Sequence, residues 1–73
     1  MIDEKIKEIT LRPANEKGEI HYSEADCEYI INEHLKSIGR QPTFSGLAHP
    51  IVLNHALDSA LVYFSDRIRE ENK

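Results

Sequence analysis

The sequence predicts a mainly α-helical fold: an αα-hairpin with a long C-terminal helix and a short N-terminal extended arm or β-hairpin. Ser23 is a helix start signal, Pro50 suits the first position of a second helix, and apolar residues recur with helical spacing after both. We expect a single small helical domain over 1–73, because this length suits one domain.

The N-terminal segment, 1–22, supports two interpretations. Three residues have helical spacing: Ile2, Ile6 and Ile9. The segments 9–11 and 20–22 instead fit two strands around the turn-forming run 15–18, and Pro13 ends any helix before it. We predict the extended arm or hairpin, lying on the helices, because an isolated two-stranded ribbon is marginally stable in water.

The first well-marked helix covers 23–38. Ser23 is a favourable N-cap, and acidic residues in the first turn complement the helix dipole. Gly39 stands where a C-capping glycine is expected. One face of this helix is apolar and carries Cys27, Ile30, Ile31, Leu35 and Ile38.

The long helix is predicted over 50–71. Its apolar side chains form an unbroken arc over about half of the circumference, wider than one neighbouring helix needs. We therefore expect it to pack against several elements or against another copy of the chain. The predicted interface residues are Val52, Ala56, Leu57, Ala60, Tyr63 and Phe64.

Composition restricts the classes of function. The net charge of −4, from 13 acidic and 9 basic residues, argues against non-specific binding to nucleic acid, which needs clustered Lys and Arg. No apolar run reaches the roughly 18 residues of a membrane span, and the first residues lack the apolar core of a signal peptide. These two absences predict a cytoplasmic protein. We also expect a homo-oligomer, because a domain this small buries only about 60% of the surface that its unfolded chain exposes.

The only cysteine, Cys27, excludes a disulfide within the chain and is typical of a reducing compartment, although a bridge between two copies stays open. His34 lies within the apolar arc of 23–38, about 10 Å along the helix axis from Cys27, too far for direct proton transfer. The carboxylates of the long helix fit a solvated face. Accordingly, we predict a protein that is not an enzyme.

The histidines do not have the spacing of a metal site. None pairs with another four residues away, and HExxH and CxxC motifs are absent from the sequence. The four are His21, His34, His49 and His55. We therefore predict no metal and no cofactor.

The connector 40–49 carries the parts of a small phosphate-ligand site. Basic and hydroxyl side chains can bind an anion, a glycine allows close approach of the backbone, and an aromatic ring can stack on a base. The predicted ligand-binding residues are Arg40, Thr43, Phe44, Ser45, Gly46 and Tyr22. The same residues also suit an ordinary loop between helices, so both interpretations stay open.

The run 57–68 resembles the second helix of small phage sponge proteins, which sequester cyclic oligonucleotide signals in anti-CBASS defence and are related to the anti-Thoeris sponges. The matching positions are Leu57, Asp58, Ala60, Tyr63 and Ile68. The family usually has Glu at Asp58 and Trp at Tyr63, and 41–45 stands in place of its charged turn. The resemblance implies a helical hairpin, a homo-oligomer and ligand pockets between subunits.

We predict a small, non-catalytic regulatory protein that acts stoichiometrically on a partner protein, as antirepressors and inhibitors encoded by phages do. Small size, acidity and a broad apolar helix suit docking onto a larger partner. The alternative is a sponge for a cyclic oligonucleotide or another phosphorylated ligand, acting by mass action. A DNA-binding regulator is least favoured, because 51–53, which begin the second helix, cannot read base edges.

Overall fold

The computed structural model describes residues 2–72, and within this range the chain forms three helices and no strand. The helices are α1 (Glu4–Thr10), α2 (Glu24–Ser37) and α3 (Pro50–Glu71). The prediction of a mainly α fold is confirmed. Met1 of the predicted arm and Lys73 of the predicted domain lie outside the described residues. None of the three helices is long and apolar enough to cross a membrane.

A helix, α1, forms where the extended arm was predicted. The Asp3 side chain caps it by accepting a hydrogen bond from the Ile6 N–H at 2.8 Å. Ile6 and Ile9 face inward and are buried. The strand prediction for 9–11 and 20–22 is wrong, because helical spacing lets both isoleucines reach the core from one face. The turn predicted between those segments is present.

The Arg12 side chain fixes the linker 11–23, which connects α1 to α2. Its Nη2 donates to both carboxylate oxygens of Glu8 at 2.7 Å, and its Nη1 donates to Asp26 Oδ2 at 2.9 Å. Nη1 also donates to the His21 carbonyl at 2.7 Å, and the guanidinium lies 5.5 Å from the ring centroid of Tyr22. One side chain therefore connects α1, the linker and the first turn of α2.

Both ends of α2 have the predicted caps. Ser23 Oγ accepts from the Asp26 N–H at 3.0 Å, and Asp26 Oδ2 accepts from the Ser23 N–H at 3.2 Å, forming a capping box. At the other end Gly39 has a φ of 78°, and the Arg40 N–H donates to the Leu35 carbonyl at 2.8 Å. This Schellman motif favours glycine at Gly39, because side chains with a Cβ rarely adopt a positive φ.

The connector runs back along α2 and covers 38–49, because α2 ends at Ser37, slightly earlier than predicted. Phe44 bonds through its main chain to the Asn32 side chain, and the Gly46 N–H donates to Glu28 Oε2 at 3.0 Å. Fully extended, such a connector spans about 36 Å, whereas the 14 residues of α2 span about 21 Å. It can therefore return to the start of α2 before α3 begins.

As a result, α2 and α3 run in the same general direction. The rings of His34 and Tyr63 lie 4.8 Å apart, and further along both helices Ser37 and Arg67 line one cleft. The helices pair as predicted, but the connector makes the pair parallel rather than an antiparallel hairpin. α1 runs opposite to both, since Ile2 lies at the end of α3, where its N–H donates to Glu71 Oε1 at 3.4 Å.

The core lies between the three helices. Ile9, Ile30 and Ala60, one from each helix, have no exposed surface. The other buried apolar side chains are Ile6, Cys27, Ile31, Leu57, Phe64 and Ile68. α1 therefore covers part of the broad apolar arc of α3. Without α1, a second copy of the chain would have been needed to cover that part.

The predicted interface residues differ in how far they are buried within one chain. Leu57, Ala60 and Phe64 are buried within one chain, so the structure places them in the core and not at the surface. Ala56 and Tyr63 are half-buried and pack against that core. Val52 is 53% exposed and is the member of the set that presents most of its side chain to solvent.

Candidate functional site

A cleft of about 490 Å³ opens between the start of α1, the end of α2 and the last turns of α3. We call it the acidic cleft, and it is lined by Ile2, Asp3, Ile6, Glu33, Ser37, Tyr63, Phe64, Arg67, Glu70 and Glu71. All three helices contribute, so the cleft exists only in the folded chain.

The floor of the acidic cleft is the apolar part of a largely polar lining. Ile6 and Phe64 are buried in it, so the apolar surface open to a ligand comes mainly from the half-buried Ile2 and Tyr63. Tyr63 packs edge-on against Phe64, with the ring centroids 5.1 Å apart. A floor of this kind can pack against the methylene groups of a long side chain.

The rim of the acidic cleft is negative. Among the described residues that line it are four carboxylates and one cationic side chain, the guanidinium of Arg67, while Lys36 lies beside it and pairs with Glu33. Arg67 Nη2 donates to the Tyr63 hydroxyl at 2.9 Å, and the guanidinium carbon lies 5.0 Å from the same ring's centroid. Arg67 is therefore oriented by Tyr63, and the rim keeps a net negative charge.

Two of the rim carboxylates also support the fold. Asp3 accepts from the Tyr29 hydroxyl at 2.7 Å as well as from the Ile6 N–H. The Tyr29 hydrogen bond lowers the pKa of Asp3 and, with burial, raises the pKa of Tyr29 to about 12. Glu33 pairs with Lys36 at 2.9 Å, whereas Glu70 is exposed at the rim.

An apolar floor beneath an acidic rim fits a lysine or arginine side chain. The stem would pack on the floor while the charged head meets the carboxylates. In the part of the chain that the structure describes, no three His, Cys, Asp or Glu side chains are grouped to hold a metal ion. Cys27 is 5% exposed, and burial raises the pKa of its thiol, which disfavours the nucleophilic thiolate.

His34 lies at the edge of the core beside the acidic cleft. Its ring stacks at a tilt on Tyr63 and meets the edge of Phe64, with centroids 6.3 Å apart in the second pair. Burial lowers the pKa of the imidazole. The neutral ring is thus favoured, which suits a packing role.

The predicted ligand-binding residues of the connector do not share one environment. Gly46 is buried, and a Cβ built there would lie 2.8 Å from the Glu24 carbonyl oxygen. Its N–H already binds the Glu28 carboxylate. The glycine therefore lets the connector approach α2 closely, and an acidic group occupies the donor that was expected to face an anion.

The other predicted ligand-binding residues spread along the connector and linker. Phe44 is half-buried and bound to α2, while Arg40, Thr43 and Ser45 are exposed. Tyr22 lies beside Arg12 rather than in the connector. Their role in binding a ligand stays a prediction.

Sequence reasoning did not find the acidic cleft. Its carboxylates come from both ends of the chain, and those near the end of α3 were assigned to a solvated face. The helical spacing of Ile2, Ile6 and Ile9 was the available signal, because a helix there would place Asp3 against the other two helices.

No family model, curated protein or solved structure matches this chain. The features that bear on function are therefore the acidic cleft and the exposed faces of the helices. The resemblance of 57–68 to the phage sponges stays a prediction from the sequence.

Proposed function

We propose that this chain is a small, non-catalytic regulatory protein of the cytoplasm that binds a basic segment of a partner protein in the acidic cleft. It acts stoichiometrically, as an antirepressor or inhibitor does, by covering a basic surface of that partner. The observation that carries the proposal is the presence of four carboxylates in one cleft together with an apolar floor.

The two layers of the cleft contribute differently to binding. An exposed ion pair contributes only about 0.2–1 kcal/mol, so the rim alone would bind weakly. The apolar floor adds burial of the side-chain stem, at about 25 cal/mol per Å² of apolar surface removed from water. The rim instead selects basic over acidic segments and speeds association, with help from the overall charge of −4.

The test is a binding titration with a short fluorescent peptide rich in Lys, Arg and Leu. A matched peptide in which Glu replaces the basic residues serves as the comparison. We expect the basic peptide to bind, the acidic one not to bind, and the affinity to fall as salt rises. Equal binding of both peptides, or binding of neither, contradicts the proposal.

Two double variants distinguish binding in the acidic cleft from attraction by the net charge of the protein. Glu33→Gln with Glu70→Gln removes two rim carboxylates, whereas Glu16→Gln with Glu19→Gln removes two exposed carboxylates of the linker. We expect the rim variant to bind the basic peptide about 2- to 30-fold more weakly and the linker variant to match the wild type. Equal losses in both would show that net charge, and not the cleft, attracts the peptide.

The sponge alternative depends on the resemblance of 57–68. Three of its matching residues, Leu57, Ala60 and Ile68, are buried in the core, so packing alone accounts for their apolar character. The acidic rim and the Glu28 carboxylate at the connector also disfavour a phosphate ligand. Thermal melting with cyclic di- and trinucleotides tests it, and a rise in melting temperature with any of them would favour the sponge.

A further inference from the structure

The outer face of α3, opposite the core, carries a regular pattern of its own. We define the α3 seam as Ile51, His55, Asp58 and Val62, which are spaced by four, three and four residues. This is the spacing of the contact positions in a coiled coil. Ile51 and Val62 are 64% and 63% exposed, and His55 and Asp58 are exposed between them.

We propose that the α3 seam is a homodimer interface in which two copies pack their α3 helices antiparallel about a twofold axis. In this register Ile51 of each copy lies opposite Val62 of the other, and His55 lies opposite Asp58. The two apolar pairs lie at the two ends of the seam. The two pairs of His55 with Asp58 lie near the twofold axis, where each histidine can donate a hydrogen bond to a carboxylate. The α3 seam lies outside the acidic cleft, and a dimer formed there does not depend on the proposed function; the groove beside the seam shares Tyr63 with the cleft.

Charge complementarity selects a second copy as the occupant. A twofold axis brings a surface against itself, and the seam is self-complementary because its order, apolar, histidine, aspartate, apolar, pairs correctly when reversed. A parallel arrangement would instead place Asp58 opposite Asp58, which like-charge repulsion disfavours. The imidazole N–H of His55 can donate to the Asp58 carboxylate even when the ring is neutral.

A groove beside the seam can receive the partner. It is lined by His34, Asp58, Ser59, Val62, Tyr63 and Asp66. Ile51 of the second copy, placed against Val62, would lie at the edge of this groove and gain contact with ring surface there. This interface covers only about three helical turns per copy, so we expect weak, concentration-dependent association rather than an obligate dimer.

Sedimentation velocity of the full chain over about 10 µM to 1 mM, a range suited to weak association, is the first test. We expect the mean mass to rise from 8.4 kDa towards twice that value as concentration increases. A constant monomer mass across the range overturns the proposal.

Two single substitutions locate the interface. Ile51→Asp places a carboxylate in the first turn of α3, where the helix dipole favours it, so the monomer should stay folded while association is lost. Leu11→Ser is the matched control, because Leu11 is 60% exposed but lies at the end of α1. Dimerisation that survives Ile51→Asp, or that Leu11→Ser abolishes, would place the contact elsewhere.

A charge exchange tests the antiparallel register. His55→Asp sets a carboxylate opposite Asp58 of the partner and should abolish association. Adding Asp58→His to the same chain restores both pairs with their members exchanged, and association should return to within about 3-fold of the wild type. Association unchanged by the single substitution, or not restored by the exchange, contradicts this register, provided circular dichroism shows both variants equally helical.

Discussion

The side-chain amide of Asn32 in α2 holds the main chain of Phe44 in the connector through two hydrogen bonds. Asn32 Oδ1 accepts from the Phe44 N–H at 2.8 Å, and Asn32 Nδ2 donates to the Phe44 carbonyl at 3.0 Å. The pair satisfies both main-chain polar groups of a half-buried residue where no strand neighbour is available. It also holds the connector along α2 and so fixes the position from which α3 begins.

Removing this pair should destabilise the fold. We expect Asn32→Ala to lower the free energy of unfolding by about 1–3 kcal/mol, because two partly buried main-chain groups lose their partner. Ser37→Ala is the control, since it removes an exposed hydrogen bond from the same helix. Urea denaturation followed by circular dichroism measures both. Equal losses in the two variants would mean that the connector does not depend on Asn32.

His34 should make stability depend on pH. Burial lowers its pKa in the folded state below the ordinary value of 6.5. As the pH falls through 6.5, the unfolded chain takes up this proton before the folded chain does, so stability decreases until the folded-state pKa is passed.

Melting temperatures at pH 7.5 and 5 test the His34 effect. The wild type should lose more stability over this interval than His34→Gln, whose side chain does not titrate. The exposed histidines His21, His49 and His55 are present in both proteins, so the difference isolates His34. Parallel losses in the two proteins would show that the ring packing does not affect its protonation.

Cys27 should be unreactive in the folded protein. Its side chain is buried in α2, and burial raises the pKa of the thiol, so both access and thiolate formation are suppressed. We expect a thiol reagent at pH 7.5 to react about 100-fold or more slowly with Cys27 than with the thiol introduced by Ser59→Cys on the exposed face of α3. Similar rates, or an inter-chain disulfide in air, would show that Cys27 is accessible.

Thr10, at the end of α1, carries a buried hydroxyl that finds no hydrogen-bond partner among the described residues. We expect Thr10→Val to leave stability unchanged or to raise it by up to about 1 kcal/mol, because an unsatisfied polar atom is replaced by a methyl group. Thr10→Ser keeps the hydroxyl and loses the methyl group, so it should destabilise. Thermal melting ranks the stabilities of the three proteins. A melting temperature of Thr10→Val below that of the wild type would mean that water satisfies the Thr10 hydroxyl.

Features set by neighbouring residues were predictable. The N-cap at Ser23, the glycine that ends α2 at Gly39 and the proline at the start of α3 each depend on local backbone geometry. The acidic cleft was not predictable in the same way. Asp3 and Glu71 come together only because α1 packs on the other two helices, and the strand pattern of this segment was preferred over its helical spacing.

The sequence by itself determined the two long helices, the caps of α2 and the apolar face that each helix buries, because these depend on residues within a few positions of one another. The tertiary structure decided the direction in which α3 runs, since the connector is long enough to return along α2 and is held there by Asn32 and Glu28. It also decided which part of the α3 arc stays exposed, because α1 and α2 cover most of the arc and leave Val52 to solvent. Such choices follow from contacts between distant segments, which periodicity along one helix does not encode.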